Sequence, residues 1–157
     1  MKKTRLFAFS IFVTITGTFA ACSIETKTET EGNQEESKSK TTVDWEVRDE
    51  YVKDGEILLT VAPDPTLVAG KPFGYLFHFT GPFETFEGKD LAIYAFHKEA
   101  EKKLTVVAPK TITEPSSGYS SLQRYTATFE VPVGGLWRYE VVLDDEFYAD
   151  VVLSVKE

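Results

Sequence analysis

Gly134-Gly135-Leu136-Trp137-Arg138-Tyr139-Glu140-Val141-Val142-Leu143-Asp144-Asp145-Glu146-Phe147-Tyr148-Ala149-Asp150-Val151-Val152-Leu153-Ser154-Val155 is the stretch that decides the fold class. Its apolar side chains recur at every second residue. Trp137, Tyr139, Val141 and Leu143 mark one run; Phe147, Ala149, Val151, Leu153 and Val155 mark the next. A period of two lines one face of a strand, whereas a helix would need 3.6. Asp144-Asp145-Glu146 separates the runs and supplies turn-forming side chains. The reading is two antiparallel strands over 136–143 and 147–155, joined as a hairpin, with Trp137 buried in the core.

Working outward, the same alternation returns. In 122–131, Tyr125, Ala127, Phe129 and Val131 alternate with Arg124, Thr126, Thr128 and Glu130, and Pro132 with Gly134-Gly135 turns the chain. A loop rich in Pro, Ser and Gly fills 109–121. Before it come a short strand over 104–108 and a longer one over 90–97, with Leu91, Ile93 and Ala95 inward. The run 73–80 places Phe73, Tyr75, Phe77 and Phe79 on one side and stops at Gly81-Pro82. The run 56–62 places Ile57, Leu59 and Val61 together and stops at Pro63-Asp64-Pro65; a weak first strand lies near 43–48. Seven or eight short strands in about 115 residues predict an all-β, antiparallel β-sandwich over 43–157, a small barrel being the alternative.

The composition changes upstream of Val43. Residues 23–42, SIETKTETEGNQEESKSKTT, hold one large apolar side chain, Ile24, and cannot bury enough surface to offset ordering entropy. With Cys22 they form a disordered polar tether, with a reach of roughly 25 Å as a coil and about 70 Å extended. Residues 1–21 read as a signal peptide: Lys2, Lys3 and Arg5, then an uncharged stretch from Leu6 to Ala21. Sixteen residues of helix span roughly 24 Å, short of the ~30 Å hydrocarbon core.

Cys22 is the single cysteine in 157 residues. Phe19-Ala20-Ala21-Cys22 resembles the lipobox of bacterial lipoproteins. That resemblance implies cleavage before Cys22 and a diacylglyceryl group on its sulfur, hence a protein held on the extracytoplasmic face of the cell membrane. Losing Lys2, Lys3 and Arg5 from the 17 basic residues leaves 14 against 25 acidic ones, a net charge of −11. Such a chain is repelled by nucleic acid and by anionic head groups, so lipid, not charge, must hold it on a membrane.

The stretch Gly134 to Val141, followed by Asp144 to Val151, resembles the C-terminal signature of a family of uncharacterised Gram-positive lipoproteins with an immunoglobulin-like domain. His78-Phe79-Thr80-Gly81 is similar to an earlier His-Phe before Gly in that family. The resemblance covers roughly 73–155. It implies an immunoglobulin-like sandwich outside the membrane and implies no activity.

No catalytic constellation is legible. Ser116, Ser117, Ser120 and Ser121 have no Gly-x-Ser-x-Gly elbow, and no phosphate-cradling Gly-x-x-x-x-Gly-Lys occurs. His78 and His97 are the two histidines; a metal site needs three or four convergent ligands, so both read as ordinary structural or surface residues. Asp144-Asp145-Glu146 with Asp150 offers oxygens for Ca²⁺ but lacks an EF-hand loop and reads as a solvated turn. No cofactor is expected. Leu76, Tyr94, Phe96 and Tyr148 alternate out of phase with the core sets, so they are expected to share or border outer faces, as a candidate binding surface for a protein or cell-wall partner. The alternative is that other segments cover them. The functional expectation is a non-catalytic binding or accessory module; a metal-carrying or enzymatic protein and a purely structural surface domain are the competing classes.

Overall fold

A computed structural model of the chain describes residues 44–157. The segments expected to be a signal peptide (1–21) and a polar tether (22–42), and Val43, lie outside the described residues. The strands are β1 (Glu50–Lys53), β2 (Glu56–Pro63), β3 (Phe73–Phe79), β4 (Asp90–His97), β5 (Lys103–Thr111), β6 (Tyr125–Phe129), β7 (Gly135–Leu143) and β8 (Glu146–Val155). A single 3-10 turn, Phe83–Thr85, lies between β3 and β4. One sheet has the order β1-β2-β3-β6 and the other β5-β4-β7-β8, with antiparallel pairing throughout. Two separate sheets make a sandwich rather than a barrel, and the chain alternates between them in the Greek-key manner of immunoglobulin-like domains.

Inward residues follow the sequence alternation closely. Leu59 and Val61 of β2, Tyr75, Phe77 and Phe79 of β3, Leu91, Ile93 and Ala95 of β4, Trp137, Tyr139 and Val141 of β7, and Ala149 and Val151 of β8 are all buried in one core. Rings lock together across it: Tyr75 stacks on Phe129 with centroids 3.9 Å apart, and both contact Tyr139. Such pairs add to the burial of area because ring faces and edges carry opposite partial charge.

The turn between β7 and β8 has two residues, Asp144 (φ 51) and Asp145 (φ 64), both left-handed. That is the type I′ geometry whose twist matches the flanking strands. Asp54 (φ 54) and Gly55 (φ 84) turn β1 into β2 in the same way.

Four strand expectations need correction. The weak first strand near 43–48 is a strand at Glu50–Lys53 instead; Arg48 makes a single bridge to Val152 of the other sheet, so the entering segment crosses from one sheet to the other. The loop over 109–121 begins later, because β5 continues through Pro109 to Thr111. Pro109 is tolerated there because β5 is an edge strand, where a missing N–H interrupts no ladder. The strand over 122–131 is paired only at Tyr125–Phe129. Finally, Ile57 and Phe147 are not inward: they are 41% and 52% exposed. In each case a bulge explains it. Tyr51 pairs with Leu59 but Val52 pairs with Ile57, leaving Leu58 as an extra residue. Val141 pairs with Ala149 but Val142 pairs with Phe147, leaving Tyr148 extra. One inserted residue reverses which side chains face the core beyond it.

Candidate functional site

The four out-of-phase residues do not form one cluster. Leu76 lies on β3, in the sheet opposite Tyr94 and Phe96 of β4. Tyr148, expected outward, turns inward at its bulge. It packs against Phe79 and Phe86, with centroids 5.9 and 5.8 Å away, and its hydroxyl donates to the Leu58 carbonyl at 3.4 Å. Burial pushes its phenol pKa up.

Tyr94 and Phe96 remain as a half-buried pair on the outer face of β5-β4-β7-β8. Their rings are already covered by the protein's own cations. Lys103 Nζ sits 4.0 Å from the Tyr94 centroid and 5.4 Å from that of Phe96, and Arg138 Cζ lies 4.6 Å over Phe96. Register explains the match: Phe96 lies between Lys103 and Arg138, and Tyr94 lies beside Glu140. Arg138 bonds Glu140 at 2.7 Å and reaches Asp150 at 3.5 Å, and Asp150 takes Arg48 at 2.7 Å. The face is a closed row of alternating charges over two rings. It works as a clasp between the entering segment and the sheet, not as an open aromatic platform.

A different recess is built by the loop after β5. Ile112 is buried; its N–H donates to Lys89 O and its carbonyl accepts from Gly88 N–H, both at 2.8 Å. On the return side Leu122 is buried and accepts from Phe79 N–H, while the Ser121 hydroxyl donates to Gly81 O. Between these anchors the loop bonds to itself. Ser116 N–H donates to Ser121 O at 3.0 Å, Tyr119 N–H to Ser116 O at 2.9 Å, and Arg124 N–H to Ser116 Oγ at 3.2 Å. Gly118 supplies the left-handed residue (φ 80) in this bend. The result is a cleft of about 310 Å³, lined by 110–117 on one side and by Leu122, Arg124, Tyr125 and Thr126 on the other. Ile112, Leu122 and the half-buried Tyr125 supply its apolar surface; hydroxyls and the charged Lys110, Glu114 and Arg124 supply the polar surface. The cleft joins the edges of the two sheets, β5 and β6. The sequence marked the loop as polar but held no sign that Ile112 and Leu122 would pin it.

A mainly apolar groove of about 400 Å³ runs between Val47–Asp49, the Pro63–Pro65 turn and Leu153. It is the seam left where the entering segment crosses from sheet to sheet.

The two histidines stand on opposite sheets. His78, exposed on β3, bonds the Gln123 carbonyl at 3.0 Å. His97, buried at the end of β4, accepts at Nδ1 from Ala100 N–H at 2.8 Å, which leaves Nε2–H to donate to Gly134 O at 2.9 Å. It also meets the Trp137 ring edge-on at 4.9 Å. Asp144 is tied to β4, its Oδ1 accepting from Asp90 N–H at 2.9 Å, and Asp150 is held by the arginines. Among the described residues no three His, Cys, Asp or Glu side chains converge as metal ligands. Likewise, no helix among them is long and apolar enough to cross a membrane.

No family model matches the chain, and no curated protein matches it. Two solved structures match the chain. One is a Bacillus anthracis protein assigned as a lipoprotein, 17% identical, with a TM-score of 0.51, covering 73% of this chain and 88% of that one. The other is the superoxide reductase (neelaredoxin) from Ignicoccus hospitalis, 10% identical, with a TM-score of 0.44, covering 68% and 81%.

Proposed function

We propose that the chain is a lipoprotein, anchored through Cys22 to the extracytoplasmic face of the cell membrane, whose sandwich is a non-catalytic binding or accessory module. The anchor reading rests on Phe19-Ala20-Ala21-Cys22 after an uncharged stretch, and the fold neighbour from Bacillus anthracis being assigned as a lipoprotein accords with it.

One observation carries the binding reading: the loop cleft opens at the end of the sandwich remote from where the chain enters. Arg48 pairs antiparallel with Val152, so the entering chain runs in from the Lys156 end. Thr111, at the cleft, pairs with Asp90, which is bonded to the Asp144 turn at the other end of the sheet. A stiff recess at the end opposite the entering segment is suited to meeting a protein or wall component, because the sheets hold its geometry. The net charge of −11 in the mature form argues against nucleic acid as that partner.

Two measurements test the reading. Mass spectrometry of the native N-terminus should find a diacylated Cys22, and Cys22→Ser should leave the chain unprocessed or released from the detergent phase; an unmodified thiol in the native protein refutes the anchor. Immobilised protein should retain a defined component of wall or membrane extracts. Replacing residues 113–120 by a short turn should abolish that retention while the fold persists; unchanged retention refutes the cleft as the site.

A further inference from the structure

Resting on the binding reading above, we infer that the loop cleft takes an anionic, hydroxyl-bearing ligand, a phosphate ester or carboxylate of a small polyol or sugar, with Lys110 and Arg124 holding the anion. Residues 44–157 carry 11 Lys and Arg against 20 Asp and Glu, a net −9. Against that background the cleft is locally positive: Lys110 and Arg124 outweigh Glu114, its single carboxylate.

Neither cation pairs with a carboxylate among the described residues. The ion pairs among the described residues are made by Arg48 and Arg138, not by Lys110 or Arg124. Arg124 Nη1 lies 3.5 Å from the Tyr119 hydroxyl, and its guanidinium stands 6.0 Å from that ring, which steadies the group without neutralising it. The other two arginines among the described residues, Arg48 and Arg138, show the contrast, since each is bound to a carboxylate at 2.7 Å. An uncompensated pair of cations at a recess raises the local concentration of anions and adds charge-assisted hydrogen bonds on contact.

The rest of the lining selects for more than charge. Glu114, Ser117 and Thr113 provide acceptors and donors for ligand hydroxyls, and Ile112 with Tyr125 gives an apolar surface for a carbon skeleton. A bare anion would use only the cations, whereas an anionic polyol uses all three surfaces. An extended anionic membrane is a poor fit, because the whole domain is repelled by one. The ligand is therefore a small molecule or a wall-borne group presented singly.

The test uses the full chain in detergent, titrated with glycerol 3-phosphate, glucuronate and inorganic phosphate, with glycerol and glucose as uncharged controls. Amide NMR shifts and calorimetry are the readouts. At least one of the two organic anions should bind saturably, roughly 10-fold or more tighter than its uncharged counterpart and tighter than inorganic phosphate, with shifts at Ile112, Ser116 and Thr126. Arg124→Gln and Lys110→Gln should each weaken that binding roughly 5- to 10-fold and reduce its salt dependence, with unchanged melting temperature because both side chains are exposed. Equal binding by the uncharged controls, shifts outside the cleft, or full affinity in both variants overturns the inference. So does retention on phosphatidylglycerol vesicles without binding of either organic anion. If extract components are still retained while no anion binds, the ligand class is wrong and the binding reading stands. If nothing is retained and no anion binds, both fall.

Discussion

Trp137→Ala is the perturbation that most directly tests the packing. Trp137 is fully buried between the sheets, meets His97 edge-on, and its indole N–H donates to the Val133 carbonyl at 2.9 Å. Truncation removes the ring, leaves a cavity that neighbouring strands cannot fill without breaking ladders, and orphans that carbonyl. Large aromatic truncations in cores cost about 3–5 kcal/mol. A domain of this size is stable by only about 5–15 kcal/mol, so the loss is a large share of the total. With a urea m-value of about 1–2 kcal/mol/M, the midpoint should fall by roughly 1.5–5 M. Trp137→Phe, which keeps much of the volume but loses the N–H, should fall between the two. The assay is urea unfolding followed by far-UV circular dichroism, since Trp45 would confuse fluorescence in the variant. A loss under about 1 kcal/mol for the alanine variant would refute the assigned phase of β7.

Three further perturbations follow from local geometry. Gly135 has φ 113, and a Cβ there would lie 2.8 Å from His97 Nε2, so Gly135→Ala should destabilise by about 1–3 kcal/mol in the same urea assay. Asp145→Gly should stabilise by up to about 1 kcal/mol, because the second residue of a type I′ turn favours glycine; a loss of stability would show that the Asp145 side chain has a role of its own. Burial pushes the phenol of Tyr139 far above its ordinary range and also raises those of Tyr75, Tyr125 and Tyr148. Folded pKa values above the unfolded value of about 10 mean that this stabilisation is whole below about pH 10 and is lost as pH rises from there toward the folded values. Unfolding midpoints should therefore drop above about pH 10, and less steeply in Tyr139→Phe; equal slopes would contradict the burial of that hydroxyl.

Strands β2, β3, β7 and β8 were legible because one face of each is richer in apolar side chains than the other; β4 carries Tyr94 and Phe96 on its outer face as well. Where both faces are apolar, period two stops deciding. Ile57-Leu58-Leu59 and Phe147-Tyr148-Ala149 are such runs, and each contains a bulge. Either phase satisfies the pattern locally, so the inserted residue left no trace in the alternation. The run of three apolar residues beside a turn was the available sign. On β5, extra residues around Ala108-Pro109 and at Val106 blur the alternation on an edge strand, and the sequence therefore read only its middle. The cleft was half legible. Composition marked the loop, but a loop becomes a site only when it is stiff, and the pins at Ile112, Ser121 and Leu122 join segments far apart in sequence.

The two bulges also belong to one construction. Tyr148, extra on β8, hydrogen-bonds the carbonyl of Leu58, extra on β2, across the gap between the sheets. A regular β8 would point Tyr148 outward and leave the space beside Phe79 and Phe86 to the smaller neighbours. The Leu58 carbonyl accepts the Thr80 N–H, just past β3, at 3.2 Å and has a second lone pair for the Tyr148 hydroxyl. The β8 bulge thus brings a large polar-tipped ring inward, and its hydroxyl finds an acceptor on β2. The consequence for function is subtraction. Tyr148 leaves the outer surface, Leu76 belongs to the opposite sheet, and Tyr94 with Phe96 is roofed by Lys103 and Arg138. The four residues therefore form no single aromatic surface. In the loop cleft, by contrast, Lys110 and Arg124 pair with no carboxylate among the described residues.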